Sequence, residues 1–471
     1  MHYRRLSVED CRKIHHASME ILERTGVCLH YQPAIDLLKN AGAYVSDGNR
    51  VRIPHTLVES AIDTAPKEIT LYNRHGHPAI HLGGFRSYYG AGSDCLNVLD
   101  HRTGKRRKST LQDVVEGVTL CDALPNVDFV MCMFLPSDMP VMIADRYEME
   151  TMLNFTTKPL VFVTTDLSGC VDAVEMAGIV AGGERALQDR PLAACYVNVT
   201  SGLQHNEEAL QKILFLSGKG LPSTYIPVAL GGASAPITLA GNMAIWNAGS
   251  LVGLVLSQLN NPGAPFITSG WGASALDMRT MISPYVEPEK QFIAQELAHY
   301  YNLPMFAFGG FSDSKLVDQQ ASLEAALTLM TNALSGSHLV HDLGYLESGL
   351  TGSLVQLAIC DEIVSWIKTA LAPVEISTET LALDLIDDVG PAGQYIDSDH
   401  TLKHFRSRWY PSIIERFNYD AWLAKGGQDL GQRTSVKVEK LLTEHEPEQL
   451  PIDIHMRIKA VREKAQKTHN C

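Results

Sequence analysis

The 471-residue sequence lacks the usual handles for nucleotides and metals. It has no G-x-G-x-x-G or Walker loop, which sets aside the dinucleotide-binding and P-loop folds. It has no H-E-x-x-H, and no two of its nine cysteines stand as C-x-x-C. Zinc ribbons and thioredoxin-type pairs are thereby excluded. Cys121, Cys132 and Cys195 sit in apolar runs, the pattern of buried free thiols in a reducing cytoplasm. Positive charge is short: 39 Lys and Arg face 53 Asp and Glu, a net charge of -14. Nucleic acid binding needs a basic face, so nucleic acid is not an expected partner. The one basic run, "GKRRKS" (Gly104 to Ser109), has no interleaved aromatics and reads as a solvated loop or a docking patch for an acidic protein. Long uncharged apolar stretches are missing too. The most apolar one, Met243 to Leu259, contains Asn247, Ser250, Ser257 and Gln258 and reads as a core helix rather than a membrane span. The start, "MHYRRLSVEDCRKIHH", is charged and polar, unlike a secretory signal. A cytoplasmic protein without membrane contact is expected.

What is present is ordinary globular composition, 45% apolar and 20% charged, in a strongly patterned chain. Residues 1–85 read as an N-terminal helical unit. Ser7 is a candidate N-cap, Gly26 and Gly42 are stop signals, and Ile14, Ala17 and Ile21 share a helix face. From about residue 86 the texture changes to eight short apolar runs separated by amphipathic helical stretches. The runs begin near Ser87, Val127, Pro159, Leu192, Ser223, Pro265, Met305 and His338. Their spacing of roughly 30 to 40 residues predicts a (β/α)8 TIM barrel over residues 86–370. A doubly wound open sheet is the rival reading. Leu323, Ala326, Leu327, Met330 and Leu334 keep the helical period up to Gly336, and Ser353 is placed to cap the last helix. Residues 371–471 form a C-terminal extension packing on the barrel.

In such a barrel the loops after the strands share one face, and that face carries the site. Asp94, Asp138, Asp166, Asn198, Ser201, Trp271, Asp313, Lys315, His341 and Asp342 fall there. In "PMFAFGGFSDSKLVDQQ" (Pro304 to Gln320), Gly309 and Gly310 are expected to let the backbone approach a ligand, with Phe311 exposed.

Four stretches carry a family resemblance: "GGASAPITLAGNMAIWNAGSLVGLVLSQLNNPGAPFI" (Gly231 to Ile267), "DMRT" (Asp277 to Thr280), "FSDSKLVDQQASLEAA" (Phe311 to Ala326) and "DHTLKHFRSRWYPSIIERFNYDAW" (Asp399 to Trp422). Through them the sequence resembles the trimethylamine methyltransferase superfamily, from about Ile14 to about Gly427. The resemblance implies a barrel that moves a methyl group from an amine to the Co(I) form of a corrinoid protein. Founding members carry pyrrolysine; this chain has none and looks like the pyrrolysine-lacking branch. Characterised members of that branch demethylate quaternary amines such as glycine betaine, proline betaine and carnitine. The chain departs from the family pattern at Gly249, where an acidic residue is expected in many relatives.

The implied chemistry sets the candidates. A quaternary ammonium leaves as a neutral amine, so the protein has only to align N–CH3 and exclude water. Ring faces bind such a cation at roughly 0.5–2 kcal/mol each. Tyr89, Trp271 and Phe311 are the leading ones, with Tyr225 and Tyr345 beside them; core packing is the competing role for each. Asp94 and Glu347 are candidates for stabilising the ammonium, or for ordering loops. Lys315 is placed to meet a betaine carboxylate, or to pair with Asp313 at the same rim. His341, at the end of the eighth run, is the catalytic candidate, against a role as a satisfied core histidine. His338, three residues earlier, should face the other way, so the two should not share a metal. No metal is expected. His400 and His404 share a helix face and read as structural or as contacts with the partner. No cobalamin-binding D-x-H-x-x-G pattern is present, so the corrinoid (cobalamin) is expected on a separate protein and no cofactor on this chain. A homo-oligomer is expected. Two other readings stand beside the methyltransferase: a non-catalytic betaine-binding or assembly protein on the same barrel, and a metal-dependent barrel lyase or hydrolase using His341 and Asp342.

Overall fold

The computed structural model describes residues 3–270, 272 and 274–469. Three helices lead: α1 (Val8–Glu20), α2 (Gln32–Asn40) and α3 (His55–Thr64). Ser7 and Asp10 close a capping box at the start of α1, and Gly26, at φ 71°, ends the π-turn that follows it. The region is not helical alone. Strand Val27–Leu29 pairs with Gln204–His205, so the N-terminal unit is stitched into the body of the protein.

The centre is a parallel barrel of eight strands in chain order. They are β1 (Tyr88–Ala91), β2 (the bridge residues Phe129 and Val130), β3 (Leu160–Val163), β4 (Ala193–Tyr196), β5 (Ser223–Thr224), β6 (Phe266–Ser269), β7 (Met305–Phe308) and β8 (Leu339–Leu343). Seven of these form one sheet, with β8 paired to β1. Phe129 bridges Gly90 and Val130 bridges Leu160, both parallel, which closes the gap between β1 and β3. The open-sheet alternative is thereby excluded.

Strand alternation divides the side chains into two layers. Val161, Ala194, Ile267, Phe306 and Leu339 point inward, while Leu160, Phe162, Cys195, Ala307 and Val340 point to the helices. The base of the barrel is plugged by a hairpin of strands Ile69–Tyr72 and Pro78–Leu82. Ile69, Leu71, Ile80 and Leu82 join the interior cluster, and the hairpin's His81 N–H donates to Tyr88 Oη at 3.1 Å. Chemistry is left to the opposite end.

The outer helices are α4 (Leu111–Ala123), α5 (Ala144–Phe155), α6 (Leu167–Ala181), α7 (Glu207–Gly218), α8 (Leu239–Asn260), α9 (Gln319–Ser335) and α10 (Leu354–Leu371). Asp318 caps α9 and Gly336, at φ 66°, ends it; Ser353 caps α10. Among the described residues, α8 is the one helix long and apolar enough to cross a membrane, yet 78% of its apolar window is buried inside the protein. Helices α1, α2 and α3 cover it. Gly249 lies on its inner face, where a Cβ would come within 2.7 Å of Gly202 O. No acidic side chain fits there at this helix–loop separation. After α10, residues 372–410 run as an arm before α11 (Leu430–Glu444) packs on α10 and α4, and α12 (Ile452–Thr468) on α5 and α6.

Candidate active site at the barrel mouth

The barrel interior opens at the level of Val163 and Phe308. Both keep accessible surface, whereas the inward residues one layer below, Val161 and Phe306, have none. Tyr196 and His341 complete this upper layer, with ring centres 5.9 Å apart. His341 is wedged between Phe306 and Phe308, at 4.1 and 4.3 Å between ring centres.

His341 is neutral here. Its Nδ1–H donates to the Ala307 carbonyl at 2.9 Å, because a carbonyl can only accept. Burial lowers its pKa to about 3, the backbone bond opposing only in part. Nε2 therefore accepts, and it faces Asp342 Oδ1 at 3.2 Å. Burial raises the Asp342 carboxyl well above its usual range. Its other oxygen, Oδ2, is buried without a hydrogen-bond partner.

An acidic pair stands beside His341 and Asp342, beyond the end of the neighbouring strand β1. Asp94, in the loop after β1, is hydrogen-bonded to Glu148 of α5. Burial raises Asp94 to about 6, partly offset by Ser93, and burial with the charge of Asp94 raises Glu148 well above the usual carboxyl range. Glu148 Oε1 has no partner and the residue is 2% exposed. The nearby cation is Lys212, whose ammonium is directed at Thr164 O, 2.7 Å away. Two buried carboxyl oxygens without partners are costly in an empty site. They suit a ligand that brings positive charge.

Tyrosines fill the space between the pairs. Tyr345 accepts from Ser93 N–H at 2.5 Å and donates to Ser93 O. Its ring lies where Gly92 leaves room: a Cβ there would meet the ring at 2.1 Å. Tyr285 comes from the loop after β6; Asp342 and Asp313 both act on its hydroxyl electrostatically. Backbone strain gathers at the same end, with positive φ at Asp94 (60°), Asp342 (82°), Glu347 (53°) and Ser348 (54°).

Among the residues singled out from the sequence, Asp94, His341 and Tyr345 meet at this mouth. Tyr89 does not. It lies one residue out of phase with inward-facing Tyr88 and packs under the helices, with Lys368 Nζ 5.7 Å from its ring centre. Tyr225 likewise faces α8, its ring against Gly253 and its hydroxyl 2.8 Å from His205 Nδ1. Phe311 is buried rather than exposed and backs Tyr285 edge-on at 5.6 Å. Asp313 orders the rim: it accepts from the Tyr285 and Val286 backbone N–H groups at 3.0 and 3.1 Å and from Ser348 Oγ at 2.6 Å. Lys315 is exposed and donates to Asp313 O at 2.8 Å. Glu347 pairs with Arg106 at 2.7 Å and accepts from Thr351, so its charge is already met. Trp271 lies outside the described residues. Gly309 and Gly310 pack against β8. Gly309 N donates to His341 O at 2.9 Å, and a Cβ on Gly310 would meet Leu343 at 3.1 Å.

Sequence reasoning missed Glu148 and Tyr285. Glu148 sits in "ADRYEMETMLNF", which reads as a solvated helix, although Asp145, Arg146 and Glu148 are all buried. Tyr285 lies in a loop without periodicity. His338 points to the base, accepting from Met305 N–H and donating to Gly84 O. No group of three or more His, Cys, Asp or Glu among the described residues is arranged to hold a metal.

Comparison with known proteins places the chain in a family. Residues 1–468 match the family described as trimethylamine methyltransferase (MTTB). Trimethylamine methyltransferase MttB of Desulfitobacterium hafniense (strain DSM 10664 / DCB-2) is 34% identical over 464 residues, covering 98% of this chain and 93% of that one. Glycine betaine methyltransferase of Desulfitobacterium hafniense (strain Y51) is 30% identical over 466 residues, covering 97% and 96%. The crystal structure of Methanosarcina barkeri monomethylamine methyltransferase (MtmB) superposes with a TM-score of 0.50 over 93% of this chain and 87% of that one; at 13% identity it speaks for the fold alone. The chain is a methyltransferase of the trimethylamine methyltransferase family.

Proposed function

We propose that the protein takes a methyl group from a quaternary amine of the betaine type and delivers it to the Co(I) corrinoid of a partner protein. Glycine betaine, proline betaine and carnitine are the candidate donors, and the chain is assigned to the pyrrolysine-lacking branch of its family, working in the cytoplasm. The observation that carries this reading is the mouth itself. The half-buried carboxyl of Asp94 and the buried ones of Glu148 and Asp342 converge there with the rings of Tyr196, Tyr285, Tyr345 and Phe308. Such a setting favours a cation without hydrogen-bond donors, through ring faces and negative charge. The relative named for glycine betaine supports the same donor class.

The corrinoid, held by the partner, supplies the electron pair that accepts the methyl group. This chain's residues bind, orient and desolvate. Tyr345, fixed at both ends of its hydroxyl's hydrogen bonds to Ser93, presents a rigid ring. Neutral His341 keeps Asp342 in place without adding a positive charge that would repel the ammonium. A neutral amine is the leaving group, so no general acid is required.

The test is to mix the protein with Co(I) corrinoid protein and a panel of betaines, choline and trimethylamine, and to follow the cobalt absorption. Methyl-Co(III) formed from a betaine is the expected result. Methylation from trimethylamine alone would move the substrate class to tertiary amines, and none from any amine would end the proposal.

A further inference from the structure

A second cavity, of about 280 Å³, lies among the loops that follow the strands. Its walls are Gly231 in the loop after β5, the first turn of α8, and the loop after β6 between Ser274 and Lys290. A short parallel ladder, Leu230–Gly231 on Ser274–Ala275, zips the two loops together. Lys290, 4% exposed, lines the cavity. Its Nζ donates to Ser274 Oγ at 2.9 Å and to Pro284 O at 3.4 Å, and stands 3.3 Å from Glu287. Burial lowers its pKa to about 8, with Glu287 opposing, so it carries its charge at neutral pH. Binding and alignment at the barrel mouth use none of these groups.

The lining groups make two opposite demands. Ser274 accepts from the Lys290 ammonium, which can only donate, and so keeps its own proton; among the described residues nothing accepts it. Helix α8 begins at the same cavity without a side-chain cap from Thr238, which leaves the N–H groups of its first turn open. Donors and positive charge at a helix start suit a carboxylate. Asn242 asks for the reverse. It is 2% exposed, and its Nδ2 donates to Ala229 O at 3.2 Å, which fixes the orientation of the amide. Its Oδ1 is buried without a partner. Glu287, which accepts from the Ala275 N–H at 3.3 Å, adds negative charge on the same side of the ledger of needs. Such acceptors suit an ammonium that has a proton to give.

We propose that this cavity binds a small zwitterion, a carboxylate joined to a protonated amine that carries at least one N–H. The identity of that zwitterion rests on the methyl-transfer reading above. The quaternary nitrogen of a betaine has no N–H and would leave Asn242 Oδ1 buried and unpaired. Loss of one methyl group turns the betaine into a tertiary amine. At neutral pH that nitrogen takes a proton from water and gains the one N–H donor that the substrate lacked. The cavity therefore selects product over substrate. It also adjoins the mouth in the chain: Pro284, which meets Lys290, precedes Tyr285. Asp313 acts on Lys290 electrostatically and accepts from the Tyr285 and Val286 N–H groups.

The experiment is calorimetric titration of the full chain with N,N-dimethylglycine and with N-methylproline, without any corrinoid protein. At least one of them is expected to bind, and an excess of glycine betaine should not displace it. Two variants locate the site. Asn242→Leu removes the acceptor. Ile237→Trp, at a residue 63% exposed on the cavity rim, fills the space without touching the core, so the barrel should fold. Each should weaken binding about tenfold or more while far-UV circular dichroism stays as in the wild type; if Asn242→Leu does not fold, Ile237→Trp decides. No binding of either amine, full displacement by glycine betaine, or unchanged affinity in a folded variant would each overturn the inference. Binding that behaves as expected in a chain that forms no methyl-Co(III) would uphold the site and overturn only the donor reading.

Discussion

At the residue scale, the site is an arrangement of protons. The Asp94 carboxyl is raised to about 6, mainly by desolvation, and burial and the neighbouring acids raise Glu148 beside it well above the usual carboxyl range. Cation binding favours the ionised carboxyl, so affinity for a quaternary amine should rise with pH while Asp94 ionises. The expected slope is about tenfold per unit below about pH 6, with a plateau above about 7. In Asp94→Asn the profile should be flat and the affinity weaker; calorimetric titration from acid to neutral pH checks this, and an unchanged slope would assign the titration to another group. His341 works in the opposite sense on stability. Its folded pKa is about 3 against an ordinary value of 6.5. Below 6.5 the unfolded chain therefore takes up a proton that the folded chain refuses, and stability is lost as pH falls through that window. His341→Asn should show a shallower acid loss in urea titrations, whatever its stability at neutral pH. Tyr88 and Tyr89 show why residue roles were the hardest part to read. Adjacent tyrosines on one strand point to opposite layers, and composition does not say which is which.

At the element scale, close approach decides what can be substituted. Helix α8 presses on the loop after β4 through Gly249, whose added Cβ would lie 2.8 Å from Gly202 Cα as well as against its carbonyl. Backbone cannot yield as a side chain does. Gly249→Ala should cost about 1–3 kcal/mol in a denaturant titration, and Gly249→Asp more; a neutral effect would mean that the helix shifts freely. Helices α5 and α6 are joined by Arg146, 1% exposed, which meets Asp145 at 2.9 Å, Asp172 at 3.0 Å and Ser168 at 2.7 Å. Arg146→Ala leaves those carboxylates without their cation and should destabilise by about 3–5 kcal/mol. The helices themselves were legible from caps and period: Ser7, Gly26, Ser353 and Gly336 act where the sequence places them. Helix α5 was not, since its buried charges imitate a solvated face.

At the scale of the whole molecule, the two ends of the barrel divide the labour. The hairpin of Leu71 and Ile80 seals the base, and the acids and tyrosines hold the mouth. Leu71→Ala should cost about 2–5 kcal/mol in stability while leaving the KM for the amine unchanged. A raised KM would show that the plug reaches the upper layer. The described cysteines are all free thiols, so packing alone holds the two ends together.

By itself the sequence determined the order of the strands and the concentration of acids in the loops after them; closure into a barrel was decided by the pairing of β8 with β1 and the bridges through Phe129 and Val130. Strand order and the placing of the acids follow from local periodicity and spacing, which each segment carries within itself. Tertiary structure alone decided that Glu148 and Tyr285 face the mouth while Tyr89 and Tyr225 face the helices. It also showed that Glu347 is spent on Arg106, and that residues 372–410 bury nothing of their own. Those outcomes depend on which surfaces meet across the fold, and no local pattern encodes the phase or the partner of a side chain.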